Sequence, residues 1–347
     1  MRDETPFDMK ILFKHILDNY KIAVKQIKHV PIGEVANSYI LFSESKIKYF
    51  LKIYPSSRIV DKNVKKRHNS HKIAHFLYHQ EGIDQVTYPI KTKTGDFKSL
   101  FGDTVLVIWT FVEGKMANEK KRKTESFLEG LANLLGRIHN STSNLKLDSI
   151  EKFSFDLEFR KDLLFCIKEA TACTTSKDKS FNKLQKLINQ YAEVILESLV
   201  YIEELSLKLQ DKDEINYVLC HSDPIIHNII IDSKNKIHLV DWDGAVLAPF
   251  EQDIWFYILD DKFELFFQKY KEASGFKTLD EDIIVFLFYE RTLADLTDWI
   301  YRILFEEITP DQIKSDFKEL EEDCWPVLSN IKELENKLRL RVRTLGS

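Results

Sequence analysis

Cysteine is scarce and dispersed in this 347-residue chain. The four copies, Cys166, Cys173, Cys220 and Cys324, make no close pairs of the kind that hold zinc. They are also too few for a disulfide scaffold, so reduced and mostly buried thiols are expected. No apolar run approaches the roughly 20 residues needed to span a bilayer. Residues 1–20 alternate charge with isolated apolar side chains instead of forming a signal peptide, so the expectation is a cytoplasmic protein with no membrane partner. A basic excess is missing too. The net charge is −5, no nucleic-acid-binding module is present, and the cluster Lys65, Lys66, Arg67, His68, His71 and Lys72 does not outweigh those two absences. A hydrophobic content of 44% with 30% charged residues describes a globular protein. Its length is enough for about two or three domains.

What is present divides near residues 112–115. The first part reads as a helix over 7–19, strands near 22–30, 38–43 and 46–54, a basic helix over 63–80, and strands near 86–90 and 104–112. Long amphipathic helices follow near 120–139, 155–173, 180–209, 250–274, 280–306 and 310–336. Only a hairpin region over 217–241 interrupts them. Strands first and helices afterwards predict an α+β fold.

Residues 221–243 carry the chemistry. They read H-S-D-P-I-I-H-N-I-I-I-D-S-K-N-K-I-H-L-V-D-W-D, which places Asp223, Asn228 and Asp241 around two short apolar runs joined by a turn at 232–235. Phosphoryl transfer needs one carboxylate at the acceptor hydroxyl and oxygen ligands that hold Mg²⁺ against nucleotide phosphates. These three side chains supply that set. Upstream, residues 46–53 alternate so that Ile47, Tyr49, Leu51 and Ile53 share one face and Lys52 takes the other. The turn over 31–38 has a single glycine, with Asn37 and Ser38 as possible side-chain donors to phosphate.

The pattern H-x-D-x-x-x-x-N followed by D-W-D resembles the catalytic loop and metal-binding segment of the aminoglycoside phosphotransferase and choline kinase superfamily. Y-V-L-C-H-S-D (217–223), V-D-W-D (240–243), L-A-P (247–249) and Asp253 are most similar to its spectinomycin phosphotransferase branch. The likeness continues upstream to Y-F-L-K-I-Y (49–54) and downstream to Tyr289-Glu290-Arg291 with Asp295. It implies a bilobal protein-kinase-like fold: a small antiparallel-sheet lobe over 1–113 that binds nucleotide, and a larger helical lobe over 114–347 for catalysis and substrate. It also implies ATP or GTP with Mg²⁺. Asp223 becomes the catalytic aspartate, Asn228 and Asp241 the metal ligands, and Lys52 the lysine on the α- and β-phosphates. His221 braces the loop, Asp253 ties the loop to the helix after Pro249, and the stretch from Trp109 through Phe111 to Val112 touches adenine through its backbone. Asp243 is a second metal-site acid, a structural acceptor or part of the substrate site.

Two positions depart from the family pattern. The helix over 63–80 has no acid to pair with Lys52, and Asn69 stands where that acid is expected. Inside the loop, 224–227 read P-I-I-H where relatives often have x-H-x-G. Such departures leave a nucleotide-binding pseudokinase as an alternative to an enzyme.

From 251 to 326 there are 20 Asp+Glu against 8 Lys+Arg. Most of these are expected to be a solvated helix face. Glu290, Asp295 and Asp298 come near one face at helical spacing and are nominated as an anionic wall for a cationic small-molecule acceptor. Trp299, with Tyr301, could enclose an ammonium group instead. Glu290-Arg291 is equally readable as an internal ion pair. The histidines 68, 71, 75 and 79 share a helical stripe that would suit a transition metal, but no acids accompany them. Choline, homoserine, a thiosugar or a macrolide remain as other acceptors, and a metal-dependent hydrolase built on His221, Asp223 and Asp241 would leave Lys52 unexplained. The oligomeric state is not legible in the sequence.

Overall fold

The computed structural model describes residues 7–31, 36–54, 63–145, 150, 152–172, 179–306 and 308–346, except for the side chains of 63–68, 179 and 346. The first elements are α1 (Met9–Tyr20), β1 (Val24–Val30), β2 (Asn37–Ser43), β3 (Lys48–Tyr54), α2 (Asn63–His79), β4 (Ser99–Phe101), β5 (Thr104–Thr110) and β6 (Lys115–Met116). There follow α3 (Glu125–Asn140), α4 (Arg160–Ala172), α5 (Lys179–Gln210), β7 (Tyr217–Cys220), β8 (Ile229–Ile231), β9 (Ile237–Leu239) and β10 (Val246–Pro249). The last helices are α6 (Phe263–Ser274), α7 (Glu281–Phe305), α8 (Pro310–Glu319) and α9 (Ile331–Gly346). The fold is α+β and protein-kinase-like. The chain forms two compact units: Met1–Phe153 with Asn216–Phe256 and Asp260–Lys277, and Ser154–Ile215 with Tyr257–Leu259 and Thr278–Ser347.

In the first unit an antiparallel sheet runs in the order β1-β2-β3-β5-β4. Asp8 starts α1 by accepting from the amides of Lys10 and Ile11, the usual service of an N-cap carboxylate. Leu12, Ile16 and Tyr20 repeat every four residues and are buried with Tyr39, Leu41, Leu51, Ile53, Leu106 and Ile108 in one cluster. Strand alternation then sends Lys52 to the other sheet face, as its spacing predicts. There it lies beside Val107 and Ser38, its register partners on the two neighbouring strands.

The strand expected over 86–90 does not form. Thr87 N donates to Leu239 O, Ile90 N to Ile108 O, and Tyr88 O accepts from Thr110 N, so this segment divides its bonds between β9 and β5. Pro89, without an N–H, makes only an isolated bridge with Trp109. A second sheet, β6-β8-β9, contains the expected hairpin, and β7 pairs with β10 rather than with that hairpin. The single helix expected over 250–274 is broken into one turn at Glu251–Ile254, a 3-10 turn at Trp255–Tyr257, and α6. The break is held by Arg122, whose guanidinium donates to the Phe256 carbonyl and to both oxygens of Asp260.

The second unit is helical. Arg302 on α7 makes a buried two-pronged pair with Asp316 on α8, at 2.8 and 2.7 Å. Glu335 on α9 accepts from the hydroxyls of Tyr201 and Tyr289 and from Arg339. The helix expected over 310–336 is interrupted by a π-turn at Leu320–Cys324 and by the short helix Trp325–Ser329. Pro326 lacks the N–H that a continuous helix would use there. Among the described residues no helix is long and apolar enough to cross a membrane.

Gly114, just before β6, is a position where the chain passes unusually close to β8. A Cβ placed on it would meet the Ile231 carbonyl oxygen and Ile230 Cγ2 at 2.5 Å. Gly114→Ala therefore forces backbone apart, and a loss of about 1–3 kcal/mol is expected in urea unfolding. A variant with the midpoint of the parent protein would show that β6 and β8 do not make this approach.

Candidate active site

The loop after β7 is held by one buried carboxylate. Asp253 Oδ2 accepts from the His221 amide at 2.8 Å and from His139 Nε2 at 3.0 Å, and Oδ1 accepts from the Ser222 amide at 2.7 Å. Two successive amides turned toward one carboxylate require a sharp bend, and Ser222 takes a left-handed conformation with φ 75°. The His221 ring is buried against Trp242. Its Nε2–H donates to the Val240 carbonyl at 2.9 Å, and Nδ1 accepts from the Asp223 amide at 3.3 Å, which fixes the tautomer. His221 thus links Val240, the residue before Asp241, to the backbone of Asp223.

Asp223 is then placed by Asn228. The Asn228 amide Nδ2 donates to Asp223 Oδ2 at 2.8 Å and to the Asp223 carbonyl at 3.0 Å. With the nitrogen so committed, Oδ1 is the side-chain atom left to coordinate a cation. The Val240 amide donates to the Asn228 carbonyl at 3.0 Å, so Asn228 lies beside the residue that precedes Asp241. Asp241 itself has φ 64° and ψ 67°. This donor set contains oxygen alone, the chemistry that Mg²⁺ or Ca²⁺ prefers, and it fits a divalent cation carried in with phosphates.

Lys52 closes the site. Its ammonium donates to Asp241 Oδ1 at 2.6 Å and to Asp243 Oδ2 at 2.9 Å. Asp243 Oδ2 also accepts from the Tyr54 hydroxyl at 2.6 Å, and His71 Nε2 of α2 lies 3.9 Å from Oδ1. Burial alone would push the lysine down, but the two carboxylates outweigh it and hold Lys52 above the ordinary lysine value. Burial likewise pushes Asp243 up, yet Lys52, His71 and the Tyr54 hydroxyl bring it down to about 2.

The structure gathers Lys52, Asp223, Asn228, Asp241 and Asp243 in the first unit. Asp243, open between metal, structure and substrate in the sequence, points at Lys52 and Tyr54. Ser38 is the cross-strand partner of Lys52, whereas Asn37 pairs with Ile53 and so starts the opposite face. Residues 32–35 of the expected phosphate turn lie outside the described residues. Trp109 is buried with its ring edge on His71, and Phe111 lies under the Lys48 ammonium. Glu290, Asp295, Asp298 and Trp299 are all on α7, in the second unit. Asp295 pairs with Arg291 at 2.6 Å. Asp298 is exposed, and Glu290 and Trp299 are half-buried. Sequence reasoning missed Tyr54 and His71. Tyr54 was detectable, since it stands two residues after Lys52 on the same face of β3.

The pair contributes to stability in a defined pH window. Because the native Asp243 value is depressed, its contribution is fully present above the unfolded carboxylate value near 4 and is lost as pH falls through about 2. In urea unfolding the difference between the parent protein and Asp243→Asn should be constant from about pH 8 to 5 and should fall on acidification below about pH 4. A difference that does not change there would show that Asp243 is not held ionised by Lys52.

Comparison with known proteins gives the same picture. A spectinomycin phosphotransferase crystallised with ADP and spectinomycin superposes with a TM-score of 0.74 at 21% identity, over 96% of this chain and 100% of that one. An amicoumacin kinase crystallised with AMP-PNP and Ca²⁺ gives 0.61 at 16% identity, over 91% and 94%. The Plasmodium vivax ethanolamine kinase gives 0.55 at 18%, over 88% and 84%. Identities this low speak for the fold. The sequence profile of the phosphotransferase enzyme family matches residues 28–281, nearly three quarters of the chain. A match over that share of the chain shows that it belongs to that phosphotransferase family.

Proposed function

We propose that this protein is a kinase that moves the γ-phosphoryl group of ATP, or of GTP, to a hydroxyl of an aminoglycoside or aminocyclitol such as spectinomycin. The observation that carries the reading is Asp223, held at backbone and side chain by Asn228 and His221 and followed by an aspartate that already touches Lys52. In this reading Asp223 accepts a hydrogen bond from the acceptor hydroxyl and aligns it for attack, a matter of positioning more than of basicity. Asn228 and Asp241 hold Mg²⁺, which when bound neutralises phosphate charge. Lys52 binds the α- and β-phosphates, with Ser38 beside it, Asn37 nearby and the backbone from Trp109 to Phe111 at the base. Residues 1–113 form the nucleotide-binding lobe, and residues 114–347 the catalytic and substrate lobe. A reaction that draws on ATP belongs in the cytoplasm, and phosphorylation of such an antibiotic would confer resistance.

The likeness to spectinomycin phosphotransferase over the whole of that chain supports a cationic acceptor. On α7, Glu290, Asp295 and Asp298 are the acids proposed to meet it, with Trp299 as an aromatic wall. A different small metabolite as acceptor is the second reading, and the likeness to ethanolamine kinase favours it.

Transfer of labelled phosphate to spectinomycin, other aminoglycosides, choline, ethanolamine, homoserine and a macrolide decides between these. Asp223→Ala should keep Mg·ATP binding while transfer to the accepted substrate falls by about 10³-fold or more. Ordinary turnover in that variant would refute the assignment of Asp223. Mg·ATP binding with no transfer to any acceptor would favour a pseudokinase.

A further inference from the structure

In kinase-like sites the strand lysine that reaches the phosphates is oriented by a carboxylate on the neighbouring helix. Helix α2 carries no such carboxylate. The α2 sequence, N-V-K-K-R-H-N-S-H-K-I-A-H-F-L-Y-H, has no acid at all. What α2 sends toward the cluster is His71, a group of the opposite chemistry, packed by its ring against Trp109 and Phe97. A lysine with no carboxylate partner would be free to swing, and its charge would be only 7% exposed with nothing to compensate it.

Two carboxylates hold Lys52, and they are not equivalent. Asp241 is 42% exposed and adjoins Asn228, so a divalent cation bound there competes with Lys52 for the same oxygens. Asp243 is 19% exposed, and Tyr54 anchors the very oxygen that Lys52 uses. Lys52 and Tyr54 are two residues apart on one strand face, so β3 grips a single carboxylate oxygen at two points. This grip does not use Asp241.

We propose that Asp243 is the positioning residue that orients Lys52 toward the nucleotide phosphates, in place of an acid on helix α2, with Tyr54 and His71 fixing the Asp243 carboxylate. The metal-binding segment thereby supplies both the metal ligand and the lysine's partner, and β3 is coupled to that segment directly. This rests on the reading of Lys52 as the phosphate-binding lysine.

The test is a double-mutant cycle read as affinity for AMP-PNP by calorimetry, with Mg²⁺ and in EDTA, in the parent protein, Lys52→Ala, Asp243→Asn and the double variant. Lys52→Ala should weaken binding about tenfold in both conditions. Asp243→Asn should weaken it about fivefold more in the protein that keeps Lys52 than in Lys52→Ala, again in both conditions, as expected of contacting residues. If Asp243→Asn does not fold, Tyr54→Phe should give the same pattern at about twofold, vanishing in Lys52→Ala. An unchanged affinity in Lys52→Ala sinks the reading of that lysine, and with it the present inference. A loss in Lys52→Ala combined with equal effects of Asp243→Asn in both backgrounds, or with an effect seen only with Mg²⁺, leaves that reading intact and overturns the role given to Asp243.

Discussion

A single buried carboxylate, that of Asp253, organises the loop after β7. Placing an ionised group in a protein interior costs several kcal/mol unless hydrogen bonds replace its water. Asp253 is fully buried, and its replacements are the amides of His221 and Ser222 and the ring of His139. His139 is completed on its other nitrogen by the Tyr270 hydroxyl at 2.7 Å. Burial pushes that hydroxyl far above the ordinary tyrosine range, which keeps it a donor. The demand of Asp253 for donors is what bends the chain at Ser222, and the bend is what delivers Asp223 to Asn228. Cys220, Asp253 and His139 lie close enough together to hold a metal ion, yet the histidine and aspartate already satisfy one another and serve the loop.

Charge balance extends this logic to the nucleotide. Lys52 faces Asp241 and Asp243, with His71 behind Asp243. Two acids beside one permanent cation make a poor receptor for bare phosphates. On the proposed reading, a nucleotide arriving with its divalent cation would bring the missing positive charge to Asp241 and Asn228 and leave Lys52 to face phosphate. On that reading the oxygen donors and the lysine form a matched set.

Much of this was legible in the sequence, and what was not has identifiable causes. The Asp223-Asn228-Asp241 set was readable because a short hairpin fixes the separation of its ends. The placing of Lys52 on the opposite strand face followed from period-two alternation, whereas its burial did not. The pairing of β7 with β10 was not readable, because strands of four residues take their partners from tertiary context. The same holds for residues 86–90, whose bonds are shared between two sheets. On α7, the pairing of Asp295 with Arg291, four residues before it, was not drawn from the spacing of the acids. Helix interruptions at 255–262 and 320–330 depended on a distant arginine and on one proline, and only the second of these is visible locally. The partner of Lys52 was sought on a helix, where relatives place it, while β3 and Tyr54 kept it on the hairpin side.

The backbone of Asp241 narrows what evolution can do with this position. At φ 64° and ψ 67° it occupies a region that asparagine and aspartate tolerate and longer side chains resist. Glutamate would preserve the charge and lose the conformation, asparagine would preserve the conformation and lose the charge, and glycine would keep only the bend. No single replacement retains both properties, so the backbone and the contact with Lys52 together restrict residue 241 to aspartate.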